Sequence, residues 1–271
     1  IDSMLNQTYR PLCWVIVDDG STDETPQIIA RMTSGHSWIV VVQTGNAARR
    51  LGSAEVIAFD RGAARLPPHI RYDFIVKLDG DLRFEPDYFE RLLARAAGDA
   101  SWGIVSGVYR EQHGNDWSPV PMPIYHAAGA CKVVRRACFE AIGGFVSSKG
   151  WDTVDEIRAG RLGWKTGHFD DILFDYLKPE GKAMGALQTH RFHGAIYYQT
   201  GGGVLFLLAK AAHRAITKPP YLLSGLSMLL GYLRPLVMRR PRLVSSAEAR
   251  YYRSMLRQRL AATVSRRLRW S

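Results

Sequence analysis

The chain is poor in cysteine, and its last quarter is almost devoid of acidic residues. Only Cys13, Cys131 and Cys138 occur in 271 residues, set among apolar neighbours and without a CxxC pair. An odd, sparse set of this kind excludes a disulfide framework and a cysteine zinc site, and it points to a reducing compartment. No charged start, short apolar stretch and small-residue cleavage site follow one another at Ile1, so no secretory signal is read there. No segment is continuously apolar for the roughly 20 residues that a spanning helix needs. The stretch from Tyr221 to Leu233 carries no charge, but Arg234-Pro235 interrupts it early. From Leu205 to Ser271 the single acid is Glu248, against fourteen Lys and Arg.

Hydrophobic content of 46% and charged content of 23% are those of an ordinary globular protein. The net charge of +11 is confined to the end: the residues before Leu205 hold 22 basic and 24 acidic side chains. A near-neutral body with a basic tail predicts that the tail meets an anionic surface, lipid headgroups or nucleic acid, unless it is simply a solvated helix face. Residues 201–271 are therefore expected to form a helical, membrane-associating basic region, in-plane or re-entrant, with a buried helix pair as the alternative. Residues 1–200 are expected to form one larger domain.

That domain has an alternating rhythm. The β-branched run Trp14-Val15-Ile16-Val17 stops at Asp18-Asp19-Gly20-Ser21, as a buried strand ending in a turn does. Thr25-Pro26 opens a helix, and residues 38–42 form a second strand. A helix over 53–66, a strand over 74–78, a helix over 86–97 and a strand over 104–108 continue the pattern. Residues 111–123, rich in Gly, Asn, Ser and Pro, read as a long loop. Helices follow over 135–142 and 153–162, each stopped by glycine. The rhythm predicts an α/β fold with a mostly parallel sheet flanked by helices.

Two strand ends carry paired carboxylates, and in open α/β sheets ligands bind at such ends. Asp79-Gly80-Asp81 follows Phe74-Ile75-Val76-Lys77-Leu78. Two acids so close repel unless a cation joins them, and hard oxygen ligands suit Mg²⁺ or Mn²⁺ shared with substrate phosphates. Asp18-Asp19 lies at the other end, where carboxylates accept hydrogen bonds from a base or ribose.

Those two segments, with Arg135-Arg136 through Ala141-Ile142-Gly143-Gly144-Phe145 and Trp151-Asp152-Thr153 before Gly163-Trp164-Lys165, resemble family 2 glycosyltransferases of the GT-A, Rossmann-like fold. The likeness holds in order and spacing over roughly residues 1–195. It implies an inverting transfer of a sugar from a nucleotide-diphosphate donor to a glycan or lipid-linked acceptor at the cytoplasmic face of a membrane. Asp18 and Asp19 would meet the nucleotide, with Arg50, of the pair Arg49-Arg50, beside them. Asp79 and Gly80 would lie at the diphosphate, and Asp79 and Asp81 would hold the metal, joined by His190.

The family's catalytic base is the Asp of an acidic pair eleven residues before a Gly-aromatic pair, a position held here by Asp152. Trp151 replaces the usual Glu, and Asp155 stays open as the alternative. A base implies a hydroxyl acceptor, since a lipid phosphate would need none. Trp117 could stack on an acceptor sugar or anchor its loop. Met4-Leu5-Asn6-Gln7-Thr8-Tyr9 matches the end of the family's first helix, so the resemblance implies that a strand central to the sheet lies upstream of this sequence. A non-catalytic membrane- or nucleic-acid-binding protein that keeps the fold is the alternative. A nucleic-acid partner is not expected.

Overall fold

The structure, a computed structural model, describes residues 1–45, 54–178 and 185–268, with side chains as far as residue 262. The chain divides into two compact units, Ile1–Pro179 and Glu180–Ser271.

The first unit opens with a short helix α1 (Asp2–Leu5) and continues with β1 (Trp14–Asp18), α2 (Thr25–Thr33), β2 (Ile39–Gln43) and α3 (Ala54–Ala63). There follow β3 (Phe74–Leu78), β4 (Leu82–Phe84), α4 (Tyr88–Gly98), β5 (Trp102–His113) and β6 (Asp116–Pro119). The unit closes with β7 (Cys131–Arg135), α5 (Arg136–Ile142), α6 (Trp151–Arg161) and β8 (Lys165–Tyr176). Strands β1 and β2 pair in parallel as a two-stranded sheet. The other six form a second sheet in the order β3-β7-β5-β8-β4, with β6 on β5.

The fold is α/β as expected, but the large sheet is mixed rather than mostly parallel. Within it only β5 and β8 run parallel, while β3–β7, β5–β7, β4–β8 and β5–β6 are antiparallel. An apolar run reports burial on both faces and says nothing of strand direction, which is why the sequence pattern missed this. The expected loop over 111–123 is also partly strand. Residues 110–113 pair with 116–119 around Gly114-Asn115, and Gly114 has φ 64°. A two-residue connection with positive φ is what a tight hairpin requires.

Helix α4 places Tyr88, Phe89, Leu92 and Ala96 on one face, at helical spacing. They pack with Val105, Val133, Ile172 and Phe174 of the sheet. On a second face Val56 of α3, Ile75, Ile104 and Val134 of the strands, Cys138 and Ile142 of α5, and Trp151 of α6 form another cluster. The three cysteines are free. A cavity of about 480 Å³ is lined by Trp14, Val15 and Val17 of β1, Phe74 to Leu78 of β3, and Phe59 and Gly62 of α3. It extends to Glu55, Asp79 and Gly80.

The second unit contains α7 (Ala186–Gln199), α8 (Val204–Thr217), α9 (Leu223–Val237) and α10 (Ser246–Leu268). Helix α7 crosses α9 at glycines. A Cβ on Gly194 would stand 2.0 Å from the Met228 carbonyl oxygen, and one on Gly231 would stand 2.0 Å from that of Arg191. Helix α9 does not stop at Arg234-Pro235 but continues to Val237 with Pro235 inside it. So close to a helix end the proline deletes only one backbone bond. Its inward side is Ser224, Gly225, Met228, Gly231 and Tyr232, and its outward side is Leu223, Leu226, Leu230 and Leu233, all exposed. Among the described residues no helix is long and apolar enough to cross a membrane.

Candidate functional site

Strand β3 alternates so that Ile75 and Lys77 point inward and are buried. The Lys77 ammonium is hydrogen-bonded to the Asp79 carboxylate and donates to the Gly129 carbonyl oxygen at 3.0 Å. Asp79 itself is fixed by its N–H on the Ala130 carbonyl oxygen, 2.9 Å away. Burial raises the Asp79 carboxyl above the usual carboxylate range; Lys77 works against that, while Asp81 and Glu55 add to it. Three acids therefore act on this strand end, and one buried cation stands against them.

Gly129 joins this end to the candidate base. A Cβ there would lie 3.6 Å from the Asp152 Cβ and 3.6 Å from the Trp151 ring. Helix α6 starts after Gly150, which has φ 81°, and so places Trp151 and Asp152 in its first turn. Unpaired backbone N–H groups there favour an acidic side chain. The indole of Trp151 donates to Glu55 at 3.0 Å, and its ring lies 5.2 Å from the Lys77 ammonium and 5.1 Å from that of Lys132.

Asp152 and Asp155 differ sharply in availability. The Asp152 side chain is 34% exposed and that of Asp155 only 1%. Lys132, wholly buried, donates to both Asp155 oxygens at 3.0 and 3.1 Å and to the Asp152 main-chain oxygen at 2.8 Å, with Glu156 3.4 Å away. Burial pushes the Asp155 carboxyl up to about 7, with Lys132 opposing and Glu156 adding. Burial works the same way on Glu156, but His126, Lys132 and the Ala127 N–H outweigh it and hold that carboxyl below its ordinary range.

At the other strand end, Asp18 is buried and accepts the Ser21 N–H at 2.9 Å, a turn-closing bond. Asp19 accepts the Thr44 hydroxyl at 2.6 Å and pairs with Arg61 at 3.1 Å. Gly80 is exposed, with open space where a Cβ would stand. Trp117 lies on β6 under the Arg83 guanidinium, 5.2 Å from its ring centre. Arg83 and Arg110 both grip the buried Asp175 at 2.6 Å.

Arg49 and Arg50 lie outside the described residues. His190 is buried within α7, and its Nδ1 faces Arg214 at 2.6 Å; burial first, then Arg214, lower its pKa below the ordinary imidazole value. Among the described residues no group of three or more His, Cys, Asp or Glu could by itself hold a metal ion.

Sequence reasoning passed over Lys77, Lys132, His126, Glu156, Glu55 and Gly129. One signal could have found the lysines: each interrupts an apolar strand, Val76-Lys77-Leu78 and Cys131-Lys132-Val133. A lysine at an inward position must be paired.

Residues 1–148 match the model of glycosyl transferase family 2. That is over half of the chain, and the chain belongs to this family. Among solved structures it is similar to the mannosyltransferase PcManGT from Pyrobaculum calidifontis, in complex with GDP-Man and Mn2+. The similarity has a TM-score of 0.55 at 18% identity and covers 97% of this chain and 75% of that one. At this identity the likeness concerns the fold, which is GT-A. None of the curated proteins compared with the chain matches it.

Proposed function

We propose that this glycosyltransferase moves a sugar from a nucleotide-diphosphate donor to a hydroxyl of a glycan or lipid-linked acceptor, with inversion at the anomeric carbon. One observation carries the reading. Lys77 is bonded to both Asp79 and Gly129, and Gly129 in turn lies against Asp152 and Trp151. A site for a departing diphosphate thus adjoins a partly exposed carboxylate.

Asp152 is the base. It removes the proton of the acceptor hydroxyl as oxygen bonds to the anomeric carbon on the face opposite the diphosphate. Asp155 is locked against Lys132 and is unsuited to that role. Asp79 and Asp81 would hold Mg²⁺ or Mn²⁺, a fit supported by a two-carboxylate set of the kind that substrate phosphates complete. A metal there would neutralise charge on the leaving diphosphate. Asp18, Asp19 and Arg50 are assigned to the nucleotide, and Gly80 to the diphosphate. His190 is left out of the set, since Arg214 engages its Nδ1.

GDP-mannose with Mn2+, the pair bound by the similar mannosyltransferase, is the first donor to assay. Asp152→Asn and Asp79→Asn should each reduce release of GDP at least 100-fold. Full turnover by either variant overturns the role of that residue.

We further propose that the second unit rests on the cytoplasmic face of an anionic membrane. The outward leucines of α9 and exposed Val204, Leu205 and Leu208 of α8, combined with the arginine excess of residues 205–271, support an in-plane attachment.

A further inference from the structure

His126 is held by one ring nitrogen and points the other at the candidate base. Its Nδ1 lies 3.0 Å from the Glu156 carboxylate, a group only 4% exposed that also accepts the Ala127 N–H at 2.8 Å. The main-chain oxygen of His126 accepts a bond from His168 Nδ1 at 2.7 Å, fixing the backbone as well as the ring. Nε2 lies 3.9 Å from Asp152 Oδ2. An ionised Glu156 can only accept, so Nδ1 carries the hydrogen, and in the neutral ring the Nε2 lone pair faces Asp152. The 3.9 Å span is wider than a direct hydrogen bond; one water or a small rotation of the Asp152 carboxyl closes it.

We propose that His126 is a positioning residue that takes over the proton Asp152 removes from the acceptor, with Glu156 fixing its tautomer. The inference rests on the reading of Asp152 as base. In the step, the acceptor O–H bond breaks and its proton passes to Asp152 as the new C–O bond forms and the bond from the anomeric carbon to the diphosphate breaks, the nucleoside diphosphate leaving with that electron pair. The proton then moves to Nε2 of His126, giving an imidazolium between two carboxylates and restoring Asp152. Proton release from Nε2 to water completes the cycle, and no other reactant is consumed.

The surroundings suit a transient cation. The groups around the ring are Asp152 and Glu156 of α6, the buried Lys132 ammonium of β7, and His168 of β8, which meets the His126 backbone. Lys132 alone faces three carboxylates, Asp152, Asp155 and Glu156. A second positive charge on His126 brings the cluster closer to balance. Burial disfavours that charge, yet Glu156 and Asp152 outweigh it and raise the imidazole above its ordinary value.

Two measurements test this. In ¹⁵N-histidine NMR of the full chain, His126 should show the Nδ1–H tautomer, and its pKa should fall in Glu156→Gln and again in Asp152→Asn. An Nε2–H tautomer, or a pKa unmoved by Asp152→Asn, overturns the proposal without reference to any donor.

With GDP-mannose and Mn2+, His126→Asn should lower kcat about 10- to 100-fold at unchanged KM for the donor. Wild-type kcat should rise with pH as His126 loses its proton, because only the neutral ring can accept. That limb should vanish in His126→Asn and move to lower pH in Glu156→Gln, which guards against mere misfolding of the first variant. Loss of turnover in Asp152→Asn, together with a wild-type rate and pH limb in His126→Asn, sinks this inference alone. Full turnover by Asp152→Asn sinks the underlying reading.

Discussion

Lys77 and Lys132 are direct partners across the antiparallel β3–β7 pair, and the indole of Trp151 lies about equally far from both ammonium groups, 5.2 and 5.1 Å. Like charges opposite one another in a sheet are destabilising. Here each is matched to its own acids, Lys77 to Asp79 and Lys132 to Asp155 and Glu156, and the electron-rich ring face offsets both. Trp151 therefore couples the carboxylate end of β3 to the start of α6.

Replacing Trp151 by leucine keeps an apolar side chain but removes the ring face and the indole bond to Glu55. Urea unfolding should show a loss of about 3 kcal/mol. Trp151→Phe keeps a ring and loses chiefly the hydrogen bond, so about 1 kcal/mol is expected. Equal losses in the two variants would mean that the ring face contributes nothing to holding the lysines.

Lys132→Met takes from the buried Asp155 its cationic partner and leaves Glu156 to His126 and the Ala127 N–H. Breaking a buried ion pair from one side costs about 3–5 kcal/mol, and the deficit should be largest at neutral and alkaline pH. It should shrink towards pH 5, because burial already pushes Asp155 up to about 7 with Lys132 in place and removing the lysine raises it further. The double variant Lys132→Met with Asp155→Leu should recover much of the loss. Denaturation curves at pH 5 and pH 8 decide it.

Helices α2 to α6 and strands β1, β2, β3 and β5 were legible because β-branched runs ending in Asp, and helices opened by Pro26 or closed by Gly143, are local signals, whereas β4, β6, β7 and β8 drew no strand reading. Gly143 indeed adopts φ 75° and caps α5. Strand direction was not legible, since Cys131-Lys132-Val133-Val134 reads the same in a parallel or antiparallel pair. The acids of the site stood out because they end strands. His126 and Glu156 did not, because each is the other's partner thirty residues away, and Lys77 did not, because its second partner, Gly129, lies fifty-two residues on. The Leu face of α9 was visible only as an uncharged stretch; which leucines point outward depended on where Gly231 and Gly194 let α7 approach.

Stability should also report His126. Burial opposes its charge, but Glu156 and Asp152 prevail, so the folded ring holds its proton more tightly than the unfolded chain does. The resulting stabilisation is fully present below the unfolded value of about 6.5 and is lost as pH rises through the higher folded value. Wild type minus His126→Gln, measured by urea titration, should therefore decline as pH rises above about 6.5. A flat or rising difference would show that the cluster does not favour the imidazolium.

The outward face of α9 gives the last expectation. Leu223, Leu226, Leu230 and Leu233 are exposed at successive turns, while Gly225, Met228, Gly231 and Tyr232 point inward. A face of this kind, with Arg234, Arg239, Arg240 and Arg242 next in sequence, suits partial burial at a headgroup boundary with cations against phosphate. The full chain should float with vesicles containing phosphatidylserine, and less with neutral vesicles or in high salt. Leu226→Glu with Leu230→Glu removes apolar contact and adds repulsion from the anionic surface. Each lost leucine contributes about 2 kcal/mol of transfer, so flotation should fall at least 100-fold while circular dichroism stays unchanged. Undiminished flotation of that variant would separate membrane attachment from the leucine face.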